Sequence, residues 1–278
     1  MVMKKLLSFL FFGSIILSCG KTDLPKPIGT VFIDPNVPTN PTVPIIPADN
    51  KSVELKGPIF VNGLPLLKRA DNSVNGISEY FYDEFKREVR ITNNKSPISE
   101  TRYKYNGDLT VEVNFTKNPD YVSPNPQFVL IADPQFFEYD TKNRVSARTS
   151  ATSKFFYAYN DADNTVQESN KTFLETNPQI RLGSKYKFNS KGNLIEVTQT
   201  DQIDEYTYDD KIRPNSFNPS SNNTSPGGMS KSNVLTAKTT GGWFGNSFTA
   251  YKYTYNKYNL PVTSTNDKGD VITYTYYE

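Results

Sequence analysis

The side chains that most often carry out catalysis are scarce in this chain. Its 278 residues include no histidine and a single cysteine, Cys19. Histidine is the side chain that titrates near neutral pH and is a frequent transition-metal ligand, and a cysteine thiolate is a strong nucleophile. A Ser-His-Asp hydrolase, a histidine-ligated zinc site and a disulfide within the chain are therefore excluded.

Carboxylates remain as candidate catalysts, because a glycoside hydrolase needs only two of them. The candidate pairs are Asp83 with Glu84, Asp161 with Asp163, Asp204 with Glu205, and Asp209 with Asp210. Each pair lies at an expected turn or beside the repeated phrase described below, and aspartate commonly starts a turn. We therefore predict that the protein is not an enzyme, and a glycoside hydrolase is the remote alternative.

Metal and cofactor sites have little support in the residue order. Residues 161–164, "DADN", place oxygen ligands at alternate positions as a calcium loop does, but the glycine and the distal glutamate of such loops are missing. No glycine-rich phosphate loop precedes a helical pattern. We therefore predict no metal and no cofactor.

The lone Cys19 is explained by the segment before it. Lys4 and Lys5 precede an apolar run, residues 6–17, which is typical of a secretory signal because about a dozen apolar residues are too few for a spanning helix. The following "LSCG" resembles the lipobox of bacterial lipoproteins. This resemblance implies cleavage after residue 18 and acylation of Cys19, and several acyl chains anchor a protein stably. A plain signal peptide with an incidental cysteine is the alternative.

Three regions follow from this interpretation. Residues 1–18 are the cleaved lipoprotein signal peptide, residues 19–51 the lipidated cysteine with a proline-rich tether, and residues 52–278 a β domain. Frequent prolines favour an extended spacer, with a first strand packed on the domain as the alternative. Gly20 follows the cysteine, and by resemblance to lipoprotein sorting in Gram-negative bacteria this implies the outer membrane, with the cell surface favoured over the periplasmic face.

The charge balance gives no reason to expect a nucleic acid as partner. The chain has 31 basic and 29 acidic residues, and two of the basic ones, Lys4 and Lys5, belong to the signal peptide. The remaining chain is therefore balanced, and it lacks the net positive charge that attracts phosphate backbones.

One phrase recurs along the β domain: aromatic, any residue, aromatic, then Asp or Asn. It begins at Tyr80, Tyr103, Phe137, Tyr157, Tyr186, Tyr206 and Tyr253, and a related "YTYYE" begins at Tyr274. Alternation places both rings on one face of a strand, and Asp or Asn then starts a turn. A polar run and a second alternating strand follow, so each repeat predicts a hairpin.

Chained hairpins predict an all-β domain, an antiparallel meander that forms a strongly curved sheet or a barrel-like soluble domain. Its concave face is expected to be filled by Tyr and Phe. A barrel that spans a membrane is disfavoured, because charged and amide side chains interrupt the alternation and the mean hydropathy is −0.58.

The C-terminal third carries a family resemblance. The phrases "YTYDDKIRPNSF", "SKSNVLTAK" and "YKYTYNKYNLPVTSTNDKGDVITYTYY" resemble the YD-repeat of secreted shell-forming proteins. They are closer to a Gram-negative lipoprotein family of unknown function with a porin-like β fold. The Gly-Arg that follows the turn in shell proteins is mostly absent, so the resemblance implies a fold and a lipid anchor but no activity.

Ligand contacts are sought in two insertions between the repeats. Trp243, the sole tryptophan, lies among Gly241, Gly242 and Gly245, where its ring could stack on a sugar. The alternative is a hairpin tip whose ring folds back onto the sheet. The second insertion, residues 114–137, contains "FVLIA" and is expected to cover a sheet edge or to serve a function.

The function predicted from these features is a non-catalytic binding module on the outer membrane. Its partners are the membrane, through the anchor at Cys19, and a glycan, a peptide or an envelope protein. The alternative is a structural component of the cell envelope without a specific ligand.

Overall fold

The described residues form one β domain. The structure, a computed structural model, describes residues 52–54, 57–121, 132–175, 177, 179–216, 218, 224–243 and 245–278. All of them belong to the compact unit Ile45–Glu278. The predicted signal peptide, the predicted lipidation site Cys19, the tether and most of "FVLIA" lie outside the described residues. Within the described part of the chain, no helix is long and apolar enough to cross a membrane.

Eighteen strands and one short 3-10 helix, Pro226–Met229, are formed by the described residues. The strands are β1 (Phe60–Val61), β2 (Leu64–Pro65), β3 (Leu67–Asn72), β4 (Gly76–Tyr82), β5 (Glu88–Asn93), β6 (Ile98–Asn106), β7 (Leu109–Lys117), β8 (Gln135–Tyr139), β9 (Val145–Thr149), β10 (Ser153–Asn160), β11 (Thr165–Thr172), β12 (Ile180–Phe188), β13 (Leu194–Thr198), β14 (Gln202–Ile212), β15 (Ser232–Gly241), β16 (Ser247–Tyr255), β17 (Pro261–Asn266) and β18 (Val271–Tyr276).

Strands β3 to β18 form a closed barrel of sixteen strands, and β1 and β2 pair separately. Each strand of the barrel pairs antiparallel with the next one in the sequence, as the repeated hairpin phrase predicts. The sheet closes where β18 pairs with β3, with Tyr274 opposite Ala70. The prediction of an all-β antiparallel meander is confirmed, and the curvature is complete.

The two faces of the sheet differ sharply. On one face Tyr186 lies opposite Val166 on one side and Val197 on the other, and all three are buried. This face carries a continuous core cluster, and in a closed sheet only the interior can hold a core shared by neighbouring strands. The cluster consists of Val113, Phe137, Val145, Tyr157, Val166, Tyr186, Leu194 and Val197.

The other face points outward and is charged. Lys104 lies opposite Glu112 and forms an ion pair with it, at 2.9 Å between Nζ and Oε1. Lys238 lies opposite Glu205 and pairs with it at 2.6 Å. A membrane-spanning barrel needs a continuous apolar band on this face. The polarity found here, aromatic inside and charged outside, is the reverse.

Candidate functional site

The antiparallel strands place alternate hairpin turns at opposite ends of the barrel. One end carries the turns that link β4–β5, β6–β7, β8–β9, β10–β11, β12–β13, β14–β15 and β16–β17. We name it the plugged end, for the reason given below. The other end, the apolar end, carries the turns that link β3–β4, β5–β6, β7–β8, β9–β10, β11–β12, β13–β14, β15–β16 and β17–β18.

The Asp or Asn of the repeated phrase organises the turns of the plugged end. Oδ1 of Asp83 accepts from the backbone N–H of Phe85 and of Arg87, two and four residues later. The same pair of bonds forms in the turns that begin at Asp140, Asn189 and Asn256. Short side chains that reach their own backbone stabilise a turn locally. The phrase therefore marks one end of the barrel.

The described residues of the long connection between β14 and β15 are 213–216, 218 and 224–231, and some of them bond to the inner face of strands β4 and β5 at this end. Nδ2 of Asn215 donates to Oε2 of Glu88 at 2.8 Å, and the hydroxyl of Tyr82 donates to Oδ1 of Asn215 at 3.3 Å. Tyr82 and Glu88 lie on the inner face of β4 and β5, and neither is more than 1% exposed. We call the described residues 213–216, 218 and 224–231 the plug.

The plug is also fixed on its own side of the barrel. Ser230 accepts from the backbone N–H of Leu194 at 2.9 Å, and Oδ1 of Asn193 accepts from the N–H groups of Lys231 and Ser232. Nη2 of Arg213 donates to the carbonyl of Gly228, and burial lowers the pKa of this guanidinium. Polar groups of the plug are thus used for structure.

The barrel interior holds a second polar group, midway between the ends. Arg148, Glu168, Tyr157 and Tyr186 are each less than 10% exposed, and the hydroxyl of Tyr186 donates to Oε2 of Glu168 at 3.0 Å. Burial raises the pKa of the Glu168 carboxyl, against the opposing effects of Tyr186 and Arg148. Burial also raises the pKa of Tyr157 to about 12, with Arg148 opposing this shift and Glu168 adding to it. Buried polar groups that satisfy one another fix the packing of a core.

Trp243 lies at the apolar end, at the tip of the β15–β16 hairpin, and its side chain projects outward. The residue is 84% exposed, so the ring does not fold back onto the sheet. The preceding Gly241 and Gly242 have φ angles of +80° and +71°, a region that other residues adopt at a cost. A Cβ on Gly241 would come within 2.2 Å of the Asp201 carbonyl oxygen. The glycines thus let the tip lie against the β13–β14 turn.

Trp243 is one of several exposed apolar residues on the turns of this end. Large apolar side chains are exposed on the turns that link β3–β4, β7–β8, β11–β12 and β15–β16. They are Val74 at 51%, Tyr121 at 38%, Phe173 at 44%, Leu174 at 72% and Trp243 at 84%. At the plugged end, only Phe85, at 70%, is comparably exposed among the described turn residues.

The outer face adds apolar residues where strands begin at the apolar end. They are Phe136 at 50%, Ile180 at 49%, Leu182 at 62%, Ile203 at 41% and Phe248 at 54% exposed. Each is the first to third residue of its strand. We call these residues, together with the exposed turn residues Val74, Tyr121, Phe173, Leu174 and Trp243, the apolar rim. Singly exposed apolar residues are common, but this many at one end of a barrel make a candidate contact surface.

The carboxylates considered as catalysts are not brought together in pairs. Asp204 points inward and accepts from Gln202 and Thr239, whereas Glu205 points outward to Lys238. Asp209 accepts from Asn233 and from the Tyr255 hydroxyl.

The remaining acids are used in turns and surface ion pairs. Asp83 pairs with Arg87, and Asp161 pairs with Lys142 and Arg144, whose hydrogen bonds lower the pKa of its carboxyl. Among the described residues there is no cluster of three acidic, His or Cys side chains suited to a metal ion.

A small pocket of about 310 Å³ lies at the plugged end, lined in part by Asn189, Asn193, Tyr206 and Asp209. Three of these side chains are already engaged: Asn189 in its turn, Asn193 with the plug, and Asp209 with Asn233 and Tyr255. The pocket therefore offers little chemistry for a ligand, and the apolar rim is the stronger candidate surface.

Comparison with known proteins finds similar solved structures, among them the following two. Both are described as porin-like proteins, one from Bacteroides vulgatus ATCC 8482 and one from Bacteroides uniformis ATCC 8492. The first has a TM-score of 0.43 and 11% identity, and the match covers 77% of this chain and 99% of that chain. The second has a TM-score of 0.41 and 12% identity, and the match covers 76% of this chain and 95% of that chain. No protein-family model and no curated protein matches the chain.

The sequence patterns found Trp243 but missed the other members of the rim. Trp243 was conspicuous because it is the sole tryptophan and lies among glycines. Leu182 and Phe248 sit in ordinary strand patterns, and only the register shows that they face outward. The only signal in the sequence is the alternation of side chains along a strand. Leu182 is an even number of residues from the inward-facing Tyr186, so alternation predicts that it points inward. A bulge between β11 and β12 reverses its side, and this prediction is therefore wrong.

Proposed function

We propose that this protein is a non-catalytic interaction module, held at the outer membrane by a lipid on Cys19, that makes its contacts through the apolar rim. The exposed rim carries this proposal. When a partner covers exposed apolar side chains, the complex is stabilised by roughly 25 cal/mol per Å² of apolar area removed from water. Among the described residues, the plugged end exposes two large apolar side chains, Val53 at 39% and Phe85 at 70%, against ten in the apolar rim.

The anchor part of the proposal rests on the lipobox-like "LSCG" that ends the signal pattern. Growing cells are labelled with radioactive palmitate, and the inner and outer membranes are separated. We expect label on the protein and location in the outer membrane, and loss of both in Cys19→Ala. The neighbouring Ser18→Ala is the matched control, because it leaves the acylated residue in place. Label retained in Cys19→Ala would contradict the anchor.

The contact part is tested by placing a benzophenone amino acid at position 243 and, in separate cells, at position 85. Both native residues are large, aromatic and highly exposed, Trp243 at 84% and Phe85 at 70%, but they lie at opposite ends of the barrel. We expect light-dependent adducts from position 243 and none from position 85. Equal yields at the two positions would contradict a contact role for the rim.

Sugar recognition centred on Trp243 is a narrower form of this function. It is favoured by the amide side chains at the same tip, since Gln202 lies close to Gly242 and Asn246 accepts from the N–H of Gly241. A glycan array with Trp243→Ala as the control tests it. Binding that is absent, or unchanged by the substitution, counts against a sugar and leaves the apolar contact in place.

A further inference from the structure

The exposed apolar turns follow a regular order around the barrel. Eight hairpin turns lie at the apolar end, and the ones with exposed apolar side chains are the first, third, fifth and seventh in sequence. The turns between them are short and polar: residues 94–97, 150–152, 199–201 and 267–270, reading "NKSP", "SAT", "QTD" and "DKGD". Neighbouring apolar turns are therefore four strands apart around the whole circumference.

This spacing restricts the shape of whatever covers the rim. Adjacent strands lie about 4.8 Å apart, so four strands separate neighbouring apolar turns by roughly 19 Å along the wall. A sugar or a short peptide bound to one turn does not reach the next. A flat, extended surface that meets the end of the barrel contacts Val74, Tyr121, Leu174 and Trp243 together.

The outer face shows how deep such a contact goes. In each of the four strands with outward-facing rim residues, a charged residue stands two to four residues beyond the last of them: Glu138 follows Phe136, Lys185 follows Leu182, Glu205 follows Ile203 and Lys252 follows Phe248. Two residues along a tilted strand correspond to about 5 Å. That depth matches the 5–10 Å to which interfacial segments enter a bilayer, and it stops well short of spanning one.

We propose that the apolar rim docks on a lipid surface, so that the barrel stands on its apolar end with the plugged end facing away. This deepens the proposed function and rests on it, since the anchor at Cys19 supplies the nearby membrane. A chain of the length of residues 19–51 reaches at most roughly 100 Å, which leaves the barrel free to turn its apolar end to the bilayer.

The residue types of the rim suit this environment. Tryptophan and tyrosine are enriched where a membrane meets water, because each has an apolar ring and a polar atom. The polar turns carry both signs of charge: Lys95 and Lys268 are basic, and Asp201 and Asp267 are acidic. Docking therefore depends on apolar contact, and it takes place on neutral phosphatidylcholine as well as on anionic lipid.

Trp243 is a built-in probe for this docking, because it is the only tryptophan of the chain. The chain of residues 19–278 carrying Cys19→Ala has no lipid and is mixed with phosphatidylcholine vesicles. We expect a blue shift of tryptophan emission, quenching by brominated lipid, and co-sedimentation with the vesicles. An emission spectrum that vesicles leave unchanged, with no co-sedimentation, overturns the proposal.

Matched variants separate the rim from non-specific adsorption. Replacing Phe173 and Leu174 together by serine is expected to lower the partition coefficient about tenfold, because two apolar side chains no longer enter the lipid. Phe85→Ser, at the plugged end, is expected to change it less than twofold. A loss as large in Phe85→Ser as in the rim variant overturns the proposal. Circular dichroism of each variant checks that the barrel is folded.

The failure of docking is distinguishable from the failure of the proposed function. If palmitate labels Cys19 and position 243 cross-links to a protein while vesicles leave tryptophan emission unchanged, the interaction module stands and the lipid surface is wrong. If position 243 forms lipid adducts and vesicles shift the tryptophan emission, the interaction module and its docking on lipid are both supported.

Discussion

The plugged end and the apolar end are built from the same hairpins, and turns stabilised by Asn side chains also occur at the apolar end, at Asn72, Asn93 and Asn266, yet the two ends differ in how they are covered. At the plugged end, Asp and Asn bond to their own turns and the plug bonds to Tyr82 and Glu88. At the apolar end, Leu174 and Trp243 are 72% and 84% exposed. The difference teaches that one end is covered by a segment of the chain itself, while the other end is left with apolar side chains that a partner could cover.

The largest effect is expected from the plug. Asn215→Gly removes the donor to Glu88 and the acceptor of Tyr82 but keeps a residue that tolerates the φ of +58° at this position. The unfolding free energy should fall by about 3 kcal/mol, because a buried carboxylate loses a hydrogen bond. Urea unfolding followed by circular dichroism measures it. Asn62→Gly, at an exposed turn with φ +53°, is the control and should change little.

A smaller loss is expected at the tip that carries Trp243. Gly241→Ala places a Cβ within 2.2 Å of the Asp201 carbonyl and forces alanine to φ +80°. We expect a loss of about 2 kcal/mol and a changed tryptophan emission, because the tip must move. Gly245→Ala, at φ +71° with no atom within 4 Å of its Cβ, isolates the backbone cost of about 1 kcal/mol. Equal losses in the two variants would show that contact with the β13–β14 turn is unimportant.

The buried Glu168 in the barrel interior should give a pH dependence of opposite sign to that of Asp161 at the plugged end, whose pKa is lowered by Lys142 and Arg144. The pKa of Glu168 is raised by burial, so the folded protein binds a proton more tightly than the unfolded chain. Stability should therefore fall as the pH rises from the unfolded value, 4.5, through the raised folded value. In Glu168→Gln this slope should disappear, as measured by urea unfolding at several pH values. Glu205→Gln, on the outer face, is the control and should keep it.

The smallest effect is expected from the most exposed rim residue. Trp243→Ser should change the unfolding free energy by less than about 0.5 kcal/mol, because its ring is 84% exposed. Thermal unfolding by circular dichroism checks this expectation. A clear loss of stability would mean that the ring packs on the barrel in solution, and the contrast between the two ends would then be weaker.

The sequence predicted the plugged end much better than the apolar end. The repeated phrase places two rings and an Asx turn together, so the inward-facing tyrosines and the turns at Asp83, Asp140, Asn189 and Asn256 follow from local rules. The repeated phrase contains no residue of the turns at the apolar end, so it predicts nothing about their side chains. Leu174 and Phe248 become a surface only through the register and closure of the barrel.

The closure of the sheet into a barrel could not be predicted from local sequence patterns. The repeats predict hairpins and strong curvature, but the number of strands at which a sheet closes depends on tilt and stagger summed over all of them. The pairing of Tyr274 with Ala70 joins residues that are far apart in the sequence. The contact between the plug and the barrel wall could not be predicted either. Asn215 and Glu88 are separated by 127 positions, and no pattern in the sequence links them.

The seam between β3 and β18 has a consequence for how the barrel is made. Every other pairing joins neighbours in sequence, and such local contacts form early and fast, whereas the seam joins Leu67–Asn72 to Val271–Tyr276. The free edge of β3 therefore stays open until β18 has been synthesised and has paired with β17. Until then this exposed edge is a template for pairing with another chain. A circular permutant that joins the two seam strands through a short loop should shorten that interval and raise the yield of folded protein.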